Sequence, residues 1–436
     1  MTLGIARRLR AVLRQARAAM RLAGIALDRR RELGWREVAA HAKQRLSGRS
    51  PGRDAASDAA AHAAPPPPGS HFDAIYAIGY WPGEPKRYRV FNIAEGLRET
   101  GYAVHILPFD RLDDIRRYRW TAHALMLFRA EYDPLVGIGG VRRYARASGM
   151  RVVYDIDDLV FDPGIAHRID GLREMGTHQR RRFIAAIARQ RRLLLACDLA
   201  TVSTMPLARA IAALGRPSTV IPNSLNREQL RIGEQLATAG RPADGVVRIG
   251  YFSGTRTHQR DFAACEEALL EVMERHRETR FRLVGYLDLG PQWERHRDRV
   301  ERIGFLPPPE LLRAIAETDI NLAPLEPGNP FCEAKSELKF FEAAIVGVPT
   351  IAAATEPFAA AIEDGVSGLL VSDAQGWRRA LDLLVTSEDR RRAMGAAAKQ
   401  RALARFSPAV VTPLAVSALG LRALSSGDNT GILRPA

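Results

Sequence analysis

Residues 331–354 read FCEAKSELKFFEAAIVGVPTIAAA, a helical run that stops on small residues and passes at once into a short β-rich stretch. On one helix, Lys335, Lys339 and Glu342 fall at steps of four and three and so share a surface. The preceding loop, EPGNP at 326–330, is rich in Pro, Gly and Asn. A loop of this kind, opening a helix whose first turn carries cations, is a place where α/β proteins hold phosphates.

Working outward, the same alternation recurs on both sides. Before it come VRIGYFSG (247–254), RFRLVGY (280–286), RIGFLP (302–307) and INLAPL (320–325), and after it GLLV (368–371), with helical stretches between. An earlier series runs through DAIYAIG (73–79), YAVHILP (102–108), ALMLFRA (124–130), RVVYDID (151–157), LATVST (199–204) and STVIPNS (218–224). Strands alternating with crossover helices imply parallel sheets. The expected fold is therefore α/β, with two Rossmann-like parallel-sheet domains facing a cleft. The first is placed at 71–235, the second at 236–405, and residues 406–436 form a C-terminal helix returning toward the first domain, with a tail. Open parallel sheets bind ligands beyond the carboxyl ends of their strands, so the cleft is the expected site.

With 436 residues and 46% hydrophobic content, the chain can bury more than one core. Cys197, Cys265 and Cys332 are far apart, which argues against a disulfide framework or a zinc site and fits a cytoplasmic protein. No secretory signal pattern and no apolar run of about 18 residues is evident.

The net charge of +15 is unevenly placed: residues 1–50 hold 13 Lys/Arg against 3 Asp/Glu, leaving only +5 on the rest. That weakens a nucleic-acid reading, as does the lack of stacking aromatics beside the basic residues. Arg7, Arg10, Arg14, Arg17 and Arg21 form one helical stripe; Leu9, Leu13, Ala16, Met20, Ala23 and Leu27 form another. Such a basic amphipathic extension lies on an anionic membrane surface or packs on protein. Residues 51–70 are a Pro/Ala-rich linker.

An ordered series of motifs across 220–405 resembles the nucleotide-sugar domain of GT-B glycosyltransferases of the large retaining family 4 type. IPNSLN (221–226) resembles that family's IPNG segment and IGYFSGTRTHQRDF (249–262) its glycine-containing first loop. IGFLPPPELLRAIAETDINLAPL (303–325), LKFFEAAIVGVPTIAA (338–353) and DGVSGLLV (364–371) resemble the segments that follow in the family. The resemblance implies transfer of a sugar from a nucleotide-sugar donor to a glycan or lipid-linked acceptor, in bacterial surface polysaccharide or lipid-linked glycan synthesis. The nucleotide sugar is a co-substrate, with no other cofactor and no metal. With the cysteine usage and the basic extension, the expectation is a cytoplasmic enzyme peripheral to the inner face of the plasma membrane.

In the resembled family the second glutamate of an E-x7-E motif binds the donor ribose, and Glu342 holds that position. Ser336 would cap the helix, while Lys335 and Lys339 would face the diphosphate. On the opposite loop Ser253, Gly254 and Thr255 offer hydroxyls and close backbone approach, with Arg256 and His258 nearby. Arg260 stands where the family carries a lysine that neutralises the leaving group. The family's first glutamate is missing: Ala334 takes its place, with Glu333 one residue off. A non-catalytic nucleotide-sugar or glycan-binding module is therefore the alternative.

In YDIDDLVFD (154–162), Asp157 falls near a position where the family often holds a cleft-facing histidine. Asp157 and Asp158 have three readings: an acceptor or catalytic role, capping of a strand end, or metal binding through convergent carboxylates. Arg87 and Arg89, in GEPKRYRVFN (83–92), either contact an acceptor diphosphate or decorate a helix start.

Overall fold

A computed structural model describes residues 64–79, 85–133, 137–173, 175–239, 244–254 and 258–422. The arginine stripe of residues 1–50, most of the linker, Thr255 and Arg256 lie outside the described residues.

Strands β1 (His71–Ile78), β2 (Val104–Pro108), β3 (Thr121–Phe128), β4 (Arg151–Ile156), β5 (Leu199–Val202) and β6 (Ser218–Val220) form one parallel sheet, ordered β2-β1-β3-β4-β5-β6. Strands β7 (Val247–Ser253), β8 (Thr279–Gly285), β9 (Val300–Ile303), β10 (Ile320–Ala323), β11 (Thr350–Ala353) and β12 (Leu369–Val371) form a second, ordered β12-β11-β10-β7-β8-β9. Their apolar runs follow from burial on both faces: Ala74, Ile75, Tyr76 and Ala77 are all sealed from solvent. In each sheet the winding reverses once, between β1 and β3 and between β7 and β10. Crevices open at such reversals, beyond the carboxyl ends of the strands.

Separate apolar clusters cover the two faces of each sheet, and each domain contributes a residue to the other's core. Ala334 of the second domain is buried with Leu159, Tyr154 and Leu207 of the first. Tyr88 of the first packs edge-on against Phe341 of the second, at 5.8 Å between ring centroids. The two walls therefore meet along an interlocked seam.

The chain crosses between domains twice at one place, where Leu225 N–H donates to the Phe406 carbonyl at 2.8 Å. The run Glu388–Leu419 is long and apolar enough, by length and composition only, to cross a membrane. It is two helices, broken at Ser407: Glu388–Phe406 packs on the second domain and Pro408–Leu419 on helix Asn92–Glu99 of the first. Gly96 provides the room, since a Cβ there would run into the Thr412 hydroxyl.

The single helix expected across 331–346 is broken. A short turn, Pro330–Glu333, is followed by a bend, and helix Leu338–Ile345 begins only after it. Buried Asn329 fixes the first turn, its side chain accepting from Phe331 N at 3.0 Å. Lys335 thus lies in the bend, not on the helix that carries Lys339 and Glu342.

Candidate active site

At the reversal between β7 and β10, the chain after Ser253 enters helix Gln259–Arg275. The backbone at Gly254 is open: a Cβ there would meet nothing within 4 Å. Ser253 is buried, and its carbonyl accepts from Tyr286 N at 3.2 Å. The next turn brings in His258 and Asp261. Asp261 is 3% exposed and touches four groups. One oxygen, Oδ2, takes Lys335 Nζ at 2.7 Å and His258 Nδ1 at 2.9 Å. The other, Oδ1, accepts from Glu326 N at 3.0 Å and Cys332 Sγ at 3.2 Å.

This geometry sets the charge states. Burial would raise Asp261, but the hydrogen bond from His258 and the charge of Lys335 hold it well below the ordinary carboxylate range. Burial would lower Lys335, but Asp261 outweighs it and the ammonium is held more firmly than in water. Burial, with Lys335 adding, pulls His258 down to about 4, so the imidazole is neutral at pH 7. Lys339 donates to the Phe252 carbonyl, and its Nζ sits 5.3 Å from the Tyr251 ring centre. Burial drops Lys339 to about 8, with Glu342 opposing and Lys335 reinforcing the fall.

Glu342 is 6% exposed and accepts a hydrogen bond from the Tyr88 hydroxyl across the seam. Gln229 backs Tyr88 at 3.4 Å. Ser336 does not cap the helix as expected: its hydroxyl accepts from Asn223 Nδ2 at 2.9 Å, and Glu337 precedes the helix without a side-chain capping bond. Arg260 is bound by carboxylates from both domains, Glu326 at 2.7 Å and Asp170 at 3.5 Å, with 40% of its side chain open.

On the first-domain wall two arginines organise the acidic run. Arg89 does not face the cleft. It is fully buried, with Nε and Nη2 on Asp155 at 3.0 and 2.6 Å and Nη1 on the Ile221 carbonyl. Its neighbour Arg87 is half-buried at the start of the same wide helical turn. Arg129 follows β3 directly at the other reversal point, its Nε on Asp157 and its Nη2 on Asp158, both at 2.5 Å. Its φ of 42° is left-handed, a strained backbone for a side chain of this size, and the paired carboxylates hold it there. Asp157 and Asp158 thus share an arginine, and among the described residues no group of His, Cys, Asp and Glu is arranged to hold a metal ion. Asp158 keeps 29% of its side chain open. Burial raises its pKa against the pull of Arg129, and Lys335 lies near enough to act on it across the seam.

Beside these groups lies an open cavity of about 360 Å³, with Leu159, Pro206 and Ala210 on one side and Gly328, Pro330 and Glu333 on the other. Glu333 lines this cavity, whereas Asp261, Lys335 and Lys339 do not. The structure brings Ser253, Gly254, Lys335, Lys339 and Glu342 to one region and adds three residues the sequence reading did not single out: Asp261, Tyr88 and Arg129. Asp261 sat unread inside THQRDF, where an acidic residue in a first helical turn has an ordinary explanation.

Residues 256–411 match the family model described as glycosyl transferase-like. Among solved structures, HepE from Anabaena in complex with UDP and glucose is similar at 15% identity and a TM-score of 0.54, over 80% of this chain and 100% of that one. Sucrose-phosphate synthase from Thermosynechococcus elongatus is similar at 17% and 0.53, over 79% and 98%. A glycosyltransferase from Rickettsia africae ESF-5 is similar at 11% and 0.52, over 80% and 98%. No curated protein matches the sequence. At these identities the structural likeness is one of fold. The chain has the two-domain GT-B glycosyltransferase fold, and residues 256–411 carry its glycosyl transferase-like segment.

Proposed function

We propose that the protein transfers a sugar from a nucleotide-sugar donor to a glycan acceptor, with retention and without a metal, in surface polysaccharide or lipid-linked glycan synthesis. The observation that carries this reading is the convergence of Lys335, Lys339 and open Gly254 backbone beside Glu342, at the strand ends where an α/β fold takes ligands. Two ammonium groups at one place suit a diphosphate. They neutralise the charge that builds on the leaving nucleotide as the glycosidic bond breaks. Glu342 suits paired ribose hydroxyls, which a carboxylate binds through charge-assisted hydrogen bonds. Tyr88 holds that carboxylate in the structure and would yield it, or share it, when a donor enters. Arg260 adds a third cation once a phosphate competes with Glu326 and Asp170.

The nucleotide to try first is UDP, which the Anabaena structure contains. Melting curves with nucleoside diphosphates identify the base, because a ligand stabilises the fold according to its occupancy. Donor turnover then decides between transfer and mere binding. The second reading, a non-catalytic binding module, draws on Ala334, which is buried in the first-domain core where the resembled family has a carboxylate. Binding without any hydrolysis or transfer would favour it. Turnover should persist in EDTA; loss that manganese restores would overturn the metal-free reading. Residues 1–50 carry the membrane reading: their removal should sharply reduce flotation with anionic vesicles and leave UDP binding intact, and equal flotation would mean that the arginine stripe packs on protein.

A further inference from the structure

Asp261 makes four hydrogen bonds through one buried carboxylate. It joins three segments: its own helix through His258, the loop after β10 through Glu326 N, and the bend through Cys332 and Lys335. Those contacts fix more than position. An ionised carboxylate only accepts hydrogen bonds, so Nδ1 of His258 must carry the ring proton. Nε2 is then the acceptor of a ring whose Nδ1 shares an Asp261 oxygen with the Lys335 ammonium. His258 keeps 18% of its side chain open, whereas Asp261 keeps 4%.

We propose that Asp261 is a positioning residue that locks His258 as a neutral acceptor next to a charged Lys335, so that one site offers a cation for phosphate and a bare nitrogen for a sugar hydroxyl. The division is chemically sharp. A phosphate oxygen has no proton to give Nε2 and goes to Lys335, while a hydroxyl can donate to Nε2. This inference rests on the donor-site reading above and is tested so that the two can fail separately.

The first measurement needs no variant and no substrate. Long-range ¹H–¹⁵N spectra at pH 7 should show His258 protonated at Nδ1; protonation at Nε2 overturns the proposal. The second uses Asp261→Asn, which keeps the shape and removes the charge. Its kcat for donor turnover should fall about 10- to 100-fold with little change in KM, on the scale of lost transition-state contacts. Loss of the Asp261 charge lowers the Lys335 pKa, so the alkaline limb of kcat should move to lower pH. Asp261→Glu should return that limb toward its original position. An unchanged kcat and limb in a folded Asp261→Asn protein overturns the proposal. Should the wild type turn over no nucleotide sugar, the transfer reading fails on its own. The tautomer, with the pH dependence of Lys335 acylation in the wild type and Asp261→Glu, then decides the role of Asp261.

Discussion

On the first-domain wall of the cleft, Arg89 and Arg129 are 0% and 2% exposed, each gripped by carboxylates from β4 and the loop after it. On the second-domain wall, Lys335 and His258 keep 15% and 18% of their side chains open around one buried carboxylate. Both walls bury an acid and surround it with bases. The difference lies in how much bonding capacity is left over. A guanidinium with two or three bonds made is a structural tie, and its planar fork suits it to that use. An ammonium or imidazole with one partner and an open side can still meet a ligand. Cations on a predicted cleft are therefore not equivalent, and the count of partners sorts them.

The comparison can be broken first at Arg89. Arg89→Leu leaves Asp155 buried with only Thr201 Oγ1, at 2.6 Å, as a side-chain hydrogen-bond partner among the described residues. It should cost about 3–5 kcal/mol in urea unfolding, the scale for stranding one member of a buried pair. A loss under about 1 kcal/mol would mean that the tie is not structural.

Glu337, 6% exposed at the entrance of the second-wall helix, is the opposite case, a buried acid that burial raises to about 7 against the weaker pull of Arg405. The folded protein then holds a proton that the unfolded chain releases near pH 4.5. Stability from this group is intact below about 4.5 and declines as pH rises to about 7. Glu337→Gln should remove that decline, a gain approaching about 3 kcal/mol at pH 8 and little at pH 5. Equal effects at both values would assign the carboxylate a normal pKa.

Glu342→Ala should weaken UDP binding by about 2–3 kcal/mol, as expected for lost hydrogen bonds to a charged group. Calorimetry that finds unchanged affinity in the folded variant would remove Glu342 from the donor site. Tyr88→Phe deletes the bond across the seam and should cost about 1 kcal/mol of stability. Because Glu342 then loses one donor that competes with the ribose hydroxyls, nucleotide affinity should hold or rise. The smallest effect belongs to Arg209→Ala. Its bond to Glu356 links the domains at 2.9 Å, but both side chains are about half exposed, and melting should not move measurably.

The two-sheet architecture was legible because buried parallel strands write long apolar runs, and because the motifs from IPNSLN to DGVSGLLV arrive in order. Glu342, Lys335 and the Gly254 loop were legible through that same order. The break at 334–337 was not. EAKSE contains no proline or glycine, and Ala334 leaves the helix because the first-domain core takes it in. A long-range contact outweighs local propensity there. Arg89 looked like a surface cation for a related reason, since its partner Asp155 lies 66 residues away. The Asp261 cluster likewise joins positions 258, 261, 326, 332 and 335, and only folding makes these neighbours.

The double crossing at Leu225 and Phe406 has a mechanical consequence. Two strands of chain passing side by side between two bodies act as a hinge with one easy axis, so opening of the cleft should be a rotation rather than a slide. Because helix Pro408–Leu419 is clamped to the first domain, that rotation must be absorbed at Ser407, between the two C-terminal helices. The second domain cannot be excised at a single cut. Its last helix belongs to the body it swings against, and a fragment ending at residue 406 would leave a bare apolar groove on its counterpart. Engineering that exchanges donor domains between such proteins should carry residues 408–422 with the first domain, not the second.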